Sequence, residues 1–188
     1  MIEDFLEPPV RDRIMTEMSA IQGRSSVVYG SSQSGIVDQT TRKSLRLTPS
    51  NETVEMIVGR LQSCMDQIAR HFAVKLDECE PPQFLRYQEG DFFVAHQDGN
   101  TGMLRLDTER RLVSIVIFLS REVDSPDDSL NVHCGGSLIF TNPHTARERA
   151  KFRVRVEPGT LIAFRSETTH EVTPVTHGER YSIVSWYR

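Results

Sequence analysis

Gln83-Phe-Leu-Arg-Tyr-Gln-Glu-Gly-Asp-Phe-Phe-Val-Ala-His-Gln-Asp98 is where the pattern of this chain changes. Two short runs rich in aromatic and aliphatic residues, 83–88 and 92–96, flank a Gly-containing turn, which is a strand signature. The rhythm continues through 112–119, 137–141, 152–156, 160–164, 171–173 and 180–187, giving about eight strands in roughly a hundred residues. Many short strands divided by turn residues predict a mainly β protein, a double-sheet jelly roll or double-stranded β-helix, with supporting N-terminal helices.

Upstream, the period is helical. Val10, Ile14, Met18 and Ile21 predict an amphipathic helix over 9–22, with Gly23 as its stop. The Gly/Ser-rich segment 30–35 reads as a mobile loop, and 40–47 as a strand or ordered edge. A second helix starts at Ser50, a capping residue, and carries Val54, Ile57, Val58, Leu61, Met65, Ile68 and Phe72 as one apolar stripe. Such a stripe requires a sheet to lie against. The expected organisation is one domain over 1–188, with 1–80 as helical support and edge strands and 81–188 as the jelly-roll core.

The 188 residues are 38% hydrophobic and 26% charged, with no apolar run long enough for a bilayer. The N-terminal residues lack the basic start and apolar centre of a secretory signal, so a cytoplasmic location is expected. Cys64, Cys79 and Cys134 match neither a zinc knuckle nor a CxxC pair and read as plain thiols. A net charge of -4 supplies no global field for nucleic acid, so neither a nucleic acid nor a membrane is expected as partner.

The candidate chemistry lies in the strand-rich part. His96 and Asp98 are two apart at a strand end, so their side chains project to the same face. His170 follows the strand 160–164 and would return a third ligand to the same mouth. Two histidines and a carboxylate hold three corners of an octahedral Fe(II) and leave three open, the arrangement that oxygen chemistry needs. His133 and His144, in polar loops, read as solvent-exposed, and His177-Gly-Glu179 as a turn. On the last strand, alternation puts Arg180, Ser182, Val184 and Trp186 on one face. An inward arginine implies an anion, and Arg180 with Ser182 could grip the far carboxylate of a 2-oxo diacid. Tyr87 is the candidate hydroxyl for the other end of that acid. The long polar connections 99–111 and 121–135 are candidate substrate-contacting lids.

These motifs, in this order, resemble the prolyl 4-hydroxylase-like Fe(II)/2-oxoglutarate dioxygenases. The resemblance rests on Leu85-Arg-Tyr-Gln-Glu-Gly90, His96-Gln-Asp98, Ser114-Ile-Val-Ile-Phe-Leu119, Gly135-Gly-Ser-Leu138, Pro158-Gly-Thr-Leu161, His170 and Arg180. The tail from His170 to Tyr187 is most similar to the oxygen-sensing prolyl hydroxylases and their bacterial relatives. The collagen-type members usually carry Lys where Arg180 stands, and Phe118 stands where the oxygen-sensing branch has Tyr. The resemblance implies Fe(II) held by His96, Asp98 and His170, and 2-oxoglutarate anchored by Arg180. It further implies dioxygen as a reactant, succinate and carbon dioxide as products, and ascorbate as a candidate reductant. A prolyl residue in a peptide or protein is the expected substrate. The alternatives are a free amino acid or other small molecule, and a jelly-roll regulatory module without turnover. A nucleic-acid demethylase would carry a second arginine soon after the first in the last strand, whereas the next one here is Arg188.

Overall fold

The fold is that of a computed structural model that describes residues 1–26, 38–99, 107–127, 131–141 and 150–188. Helix α1 (Pro8–Ala20) opens on prolines, whose fixed φ suits a first turn, and buries Ile14, Met15 and Met18. Three short strands follow: β1 (Arg24–Ser25), β2 (Arg42–Lys43) and β3 (Leu45–Leu47). Helix α2 (Asn51–Phe72) is capped by the Ser50 hydroxyl, which accepts from the Thr53 N–H, and ends where Ala73 turns left-handed at φ 52. Beyond it come β4 (Gln83–Tyr87), β5 (Phe92–His96), β6 (Val113–Phe118), β7 (Arg121–Glu122), β8 (Val132–Gly135) and β9 (Leu138–Thr141). The chain closes with β10 (Lys151–Val154), β11 (Leu161–Arg165), β12 (His170–Val172), β13 (Val175–Gly178) and β14 (Arg180–Tyr187).

A six-stranded sheet, β1-β3-β4-β14-β6-β11, faces a five-stranded one, β10-β9-β12-β5-β2. Between them Val116, Phe118 and Phe164 of the first meet Leu138 and Phe140 of the second. Leu85 and Tyr87 likewise meet Val172. This is the jelly roll. The opposite face of the six-stranded sheet is covered by the helices, with Ile14, Met18, Ile57 and Leu61 packed with Ile115, Ile117, Ile183 and Tyr187. A sheet covered on both faces explains why every position of β6 is buried and why its sequence is an almost unbroken apolar run. Fully burying a side chain such as Ile57 or Leu61 contributes about 1.5–3 kcal/mol, so α2 is held by this seam far more than by its own propensity.

Several expectations need correction. α1 ends at Ala20 rather than residue 22, because Ile21 is extended at ψ 130. The segment 121–135 is not a free lid: its ends form β7 and β8, which join β13 in a third sheet ordered β13-β8-β7. His177 lies in β13 rather than in a turn. These strands escaped the sequence reading because β7 has two residues, β8 is Val-His-Cys-Gly without polar alternation, and the β13–β8 register shifts between Val175 and His177. The connection 99–111 contains a 3-10 turn, Asp107–Arg110, and is tied at its ends. There the Gly99 N–H donates to Ser166 O, and the Arg111 guanidinium grips Glu80. Segment 30–35, residues 100–106 and His144 lie outside the described residues.

Candidate metal centre and acid pocket

His96 is the last residue of β5 and His170 the first of β12, and the two are direct partners across the antiparallel pair. Asp98 lies two residues beyond His96, with its own N–H donating to Ser166 O at 2.9 Å. Strand pairing thus brings together three side chains that the chain separates by 74 residues, from 96 to 170. Their ligand atoms all lie within 4.8 Å of one another, and among the described residues no other such cluster occurs. Both imidazoles turn Nε2 toward the carboxylate: His96 Nε2 is 3.5 Å from Asp98 Oδ1, and His170 Nε2 is 3.5 Å from Oδ2.

The other ring nitrogens fix this orientation. His96 Nδ1 is 2.8 Å from Val94 O, and His170 Nδ1 is 2.9 Å from Thr168 O. A carbonyl can only accept, so each Nδ1 carries the proton and each Nε2 presents a lone pair, as a metal ligand must. Phe93 stacks on His96 at 3.6 Å between centroids, and Phe164 sets its edge against His170 at 4.8 Å. Burial lowers the pKa of His170, partly offset by Asp98, which keeps the ring neutral. Burial works to raise the pKa of Asp98, and a proton on either facing imidazole lowers it in the ion-free protein, a positive charge that a divalent cation would replace. Two neutral nitrogens and one anionic oxygen, converging and already desolvated, fit a divalent iron.

Trp186 backs the carboxylate. Arg111 braces it, with its guanidinium 3.7 Å from the indole centroid while bound to both oxygens of Glu80 at 2.8 and 2.7 Å.

A cavity of about 50 Å³ runs from the trio to Arg180 and Ser182. The alternation expected for β14 is present: Arg180, Ser182, Val184 and Trp186 line this cavity, while Tyr181, Ile183 and Tyr187 join the helix-side core. Arg180 is 2% exposed, donates from Nη1 to Ser182 Oγ at 2.8 Å, and makes no ion pair among the described residues. Its Nε has no hydrogen-bond partner. Burial lowers its pKa, with Tyr87 and Glu122 acting the other way. A desolvated, uncompensated guanidinium is costly, and an anion is what relieves it. Tyr87 pairs directly with Arg180, and its ring centroid lies 5.2 Å from the guanidinium carbon. The tyrosine therefore sits at the guanidinium end of the cavity rather than at the opposite one. Phe118 flanks the same group at 5.5 Å and offers it no hydroxyl.

The expectation for His133 was wrong. It is 2% exposed, stands in β8, and lines a second cavity of about 720 Å³ together with Arg180, Gly136, Phe118 and Thr160. Burial first, then Arg180 and Arg153, push its pKa down to about 3. No sequence signal marked it, since its neighbours Val132, Cys134 and Gly135 show no alternation. His177 is 3.7 Å from Glu89 and belongs to no metal-capable group among the described residues. The three cysteines are free thiols.

Residues 82–188 match the 2OG-Fe(II) oxygenase superfamily, and the chain belongs to that family. Membership brings iron(II) and 2-oxoglutarate as the family's cofactor and co-substrate. A PKHD-type hydroxylase of Shewanella oneidensis is 30% identical over 169 residues, covering 85% of this chain and 66% of its own length. A PKHD-type hydroxylase of Burkholderia cenocepacia is also 30% identical, over 166 residues, with the same coverage. The chain thus spans 66% of the length of these relatives. Among solved structures, a Pseudomonas putida prolyl-4-hydroxylase has a TM-score of 0.68 at 22% identity, covering 98% of this chain and 89% of that one. The viral collagen prolyl hydroxylase of Paramecium bursaria Chlorella virus-1, solved with 2OG, has a TM-score of 0.63 at 18% identity, covering 100% and 93%. Both likenesses support the jelly-roll fold. No helix among the described residues is long and apolar enough to cross a membrane.

Proposed function

We propose that this chain is an Fe(II)- and 2-oxoglutarate-dependent hydroxylase of an aliphatic C–H bond, with a prolyl residue in a peptide or protein as substrate. His96, Asp98 and His170 hold the iron; Arg180, aided by Ser182 and Tyr87, holds the distal carboxylate of 2-oxoglutarate. The observation that carries this reading is a cavity with a converging His-Asp-His trio at one end and, at the other, a buried arginine that makes no ion pair among the described residues. Bound iron and 2-oxoglutarate supply the oxidant: one oxygen atom of dioxygen goes into succinate, released with carbon dioxide, and the other into the substrate C–H as a hydroxyl.

The protein's residues bind, orient and exclude. The Val94 and Thr168 carbonyls fix both imidazoles with Nε2 inward, so the ligand set is organised before the ion arrives. Arg180 can give the carboxylate two parallel N–H donors, a charge-assisted contact about twice as strong as a neutral one. Phe93, Val116, Leu138, Val172 and Val184 give the space between an apolar lining, which disfavours water and so strengthens that contact and protects the reacting centre. The prolyl substrate is supported by the names of the relatives and of the structural neighbours. Three free thiols accord with a reducing, cytosolic setting, in which ascorbate would keep the iron ferrous.

The test is succinate release when oxygen is admitted to anaerobically Fe(II)-loaded protein with 2-oxoglutarate, with and without proline-containing peptides. Peptide-stimulated succinate, together with hydroxylated peptide, is expected. Peptide-independent succinate would move the substrate to a small molecule, and no succinate from iron-loaded protein would overturn the enzyme reading.

A further inference from the structure

We propose that His133 is a second holder of the co-substrate's distal carboxylate, donating from its imidazole to an oxygen lone pair that the Arg180 donors leave free. This rests on the assignment of Arg180 as the anchor and adds to it a residue from a different sheet. Four observations meet here. His133 is buried, yet its Nδ1 has no hydrogen-bond partner among the described residues, a state that native interiors seldom tolerate. Arg180 Nε is orphaned in the same way among the described residues, and Arg180 and His133 line the same cavity.

The two side chains are neighbours across a residue that has none. A Cβ added to Gly136 would stand 3.0 Å from Arg180 Cδ and 3.4 Å from His133 Cδ2, so glycine is what lets the imidazole and the guanidinium stem approach. Nε is bonded to that Cδ. The ring atom nearest the added Cβ is Cδ2, so a carboxylate taking the guanidinium side-on through Nε meets the imidazole at Nε2, the nitrogen bonded to Cδ2. Finally, Nη1 is committed to Ser182 Oγ, and Phe118 offers no hydroxyl. A donor on this side adds to the hydroxyls of Ser182 and Tyr87. A neutral imidazole suits the place: it donates without adding a second positive charge beside Arg180, and Arg153, the other nearby cation, is occupied by Glu122 at 2.5 Å.

The experiment is direct binding, by calorimetry on Mn(II)-loaded protein without oxygen, of 2-oxoglutarate and of 2-oxopentanoate, which has the same carbon chain without the distal carboxylate. The variants are His133→Phe, which keeps the ring and removes the donor, His133→Gln, which restores a donor, and Arg180→Met. His133→Phe is expected to weaken 2-oxoglutarate about tenfold and leave 2-oxopentanoate unchanged, as loss of one hydrogen bond to a charged group predicts. His133→Gln should recover part of the loss. An equal loss for both acids, or no loss for 2-oxoglutarate while Arg180→Met abolishes its binding, would overturn the role of His133 and spare the anchor. If Arg180→Met also bound 2-oxoglutarate normally, the anchor itself would fall, and this inference with it.

Discussion

At the residue scale, His133 also makes a claim about the empty protein. Burial and the neighbouring guanidinium groups keep its folded-state pKa at about 3, against an ordinary 6.5. The unfolded chain therefore takes up a proton near pH 6.5 that the folded chain refuses, so this group costs nothing above pH 6.5 and an increasing amount below it. Between pH 7 and pH 5 the loss is about 2 kcal/mol. Urea melts of metal-free wild type and His133→Phe at both pH values isolate it: the wild type should lose about 2 kcal/mol more than the variant on going to pH 5. Parallel losses would mean that the imidazole is already hydrated in the folded state. The contrast with His96 and His170 is instructive. His96 is legible at the end of the strand 92–96 with Asp98 two residues on, His170 from its place after the strand 160–164, and Arg180 and Ser182 because successive residues of a strand point to opposite faces. A buried histidine in a four-residue strand beside two glycines carries no such signature.

At the element scale, the β8–β9 corner decides whether Arg180 and His133 can meet. Gly135 and Gly136 both take positive φ, +67 and +62, but a methyl group would cost something different at each. At Gly135 it would lie 2.3 Å from the Pro174 carbonyl oxygen, a backbone atom that cannot move without breaking the β13–β8 pairing. At Gly136 the nearest atoms are side-chain carbons, Val175 Cγ2 at 2.9 Å and Arg180 Cδ at 3.0 Å, which can shift. Gly135→Ala should therefore lower stability by about 2–4 kcal/mol, combining αL strain with a steric clash. Gly136→Ala should lose closer to about 1–2 kcal/mol but weaken 2-oxoglutarate by displacing the guanidinium. Chemical denaturation and calorimetry on the two variants separate these effects, and equal stability losses with unchanged binding would refute the distinction. Of the two strands that these glycines join, β9 is legible as the segment 137–141, whereas β8 is not. Pairing in β7, β8 and β13 is set by contacts distant in sequence, whereas β5 and β14 announce themselves by composition and were read at the bounds the fold gives them.

At the scale of the whole molecule, the site is divided between two layers. The five-stranded sheet supplies His96 and His170, while the six-stranded sheet supplies Tyr87, Arg180 and Ser182. The helices stiffen only the six-stranded layer, through the seam of Ile57, Leu61, Ile117 and Ile183. An ion alone engages the five-stranded side and Asp98; a 2-oxo diacid that reaches both the ion and Arg180 ties the two layers together. Ligand stabilisation should therefore be cooperative. Mn(II) alone and 2-oxoglutarate alone should each raise the melting temperature slightly, and the pair should raise it by more than the sum. At a hundredfold excess over its dissociation constant, a ligand adds about 2.7 kcal/mol, enough to resolve in a domain of this size. The excess should vanish in His170→Ala, which lacks one ligand, and in Arg180→Met, which lacks the anchor, although the two changes lie on opposite sheets. Simply additive shifts in the wild type would place the acid away from the ion and break the link between the trio and the arginine on which the hydroxylase reading depends.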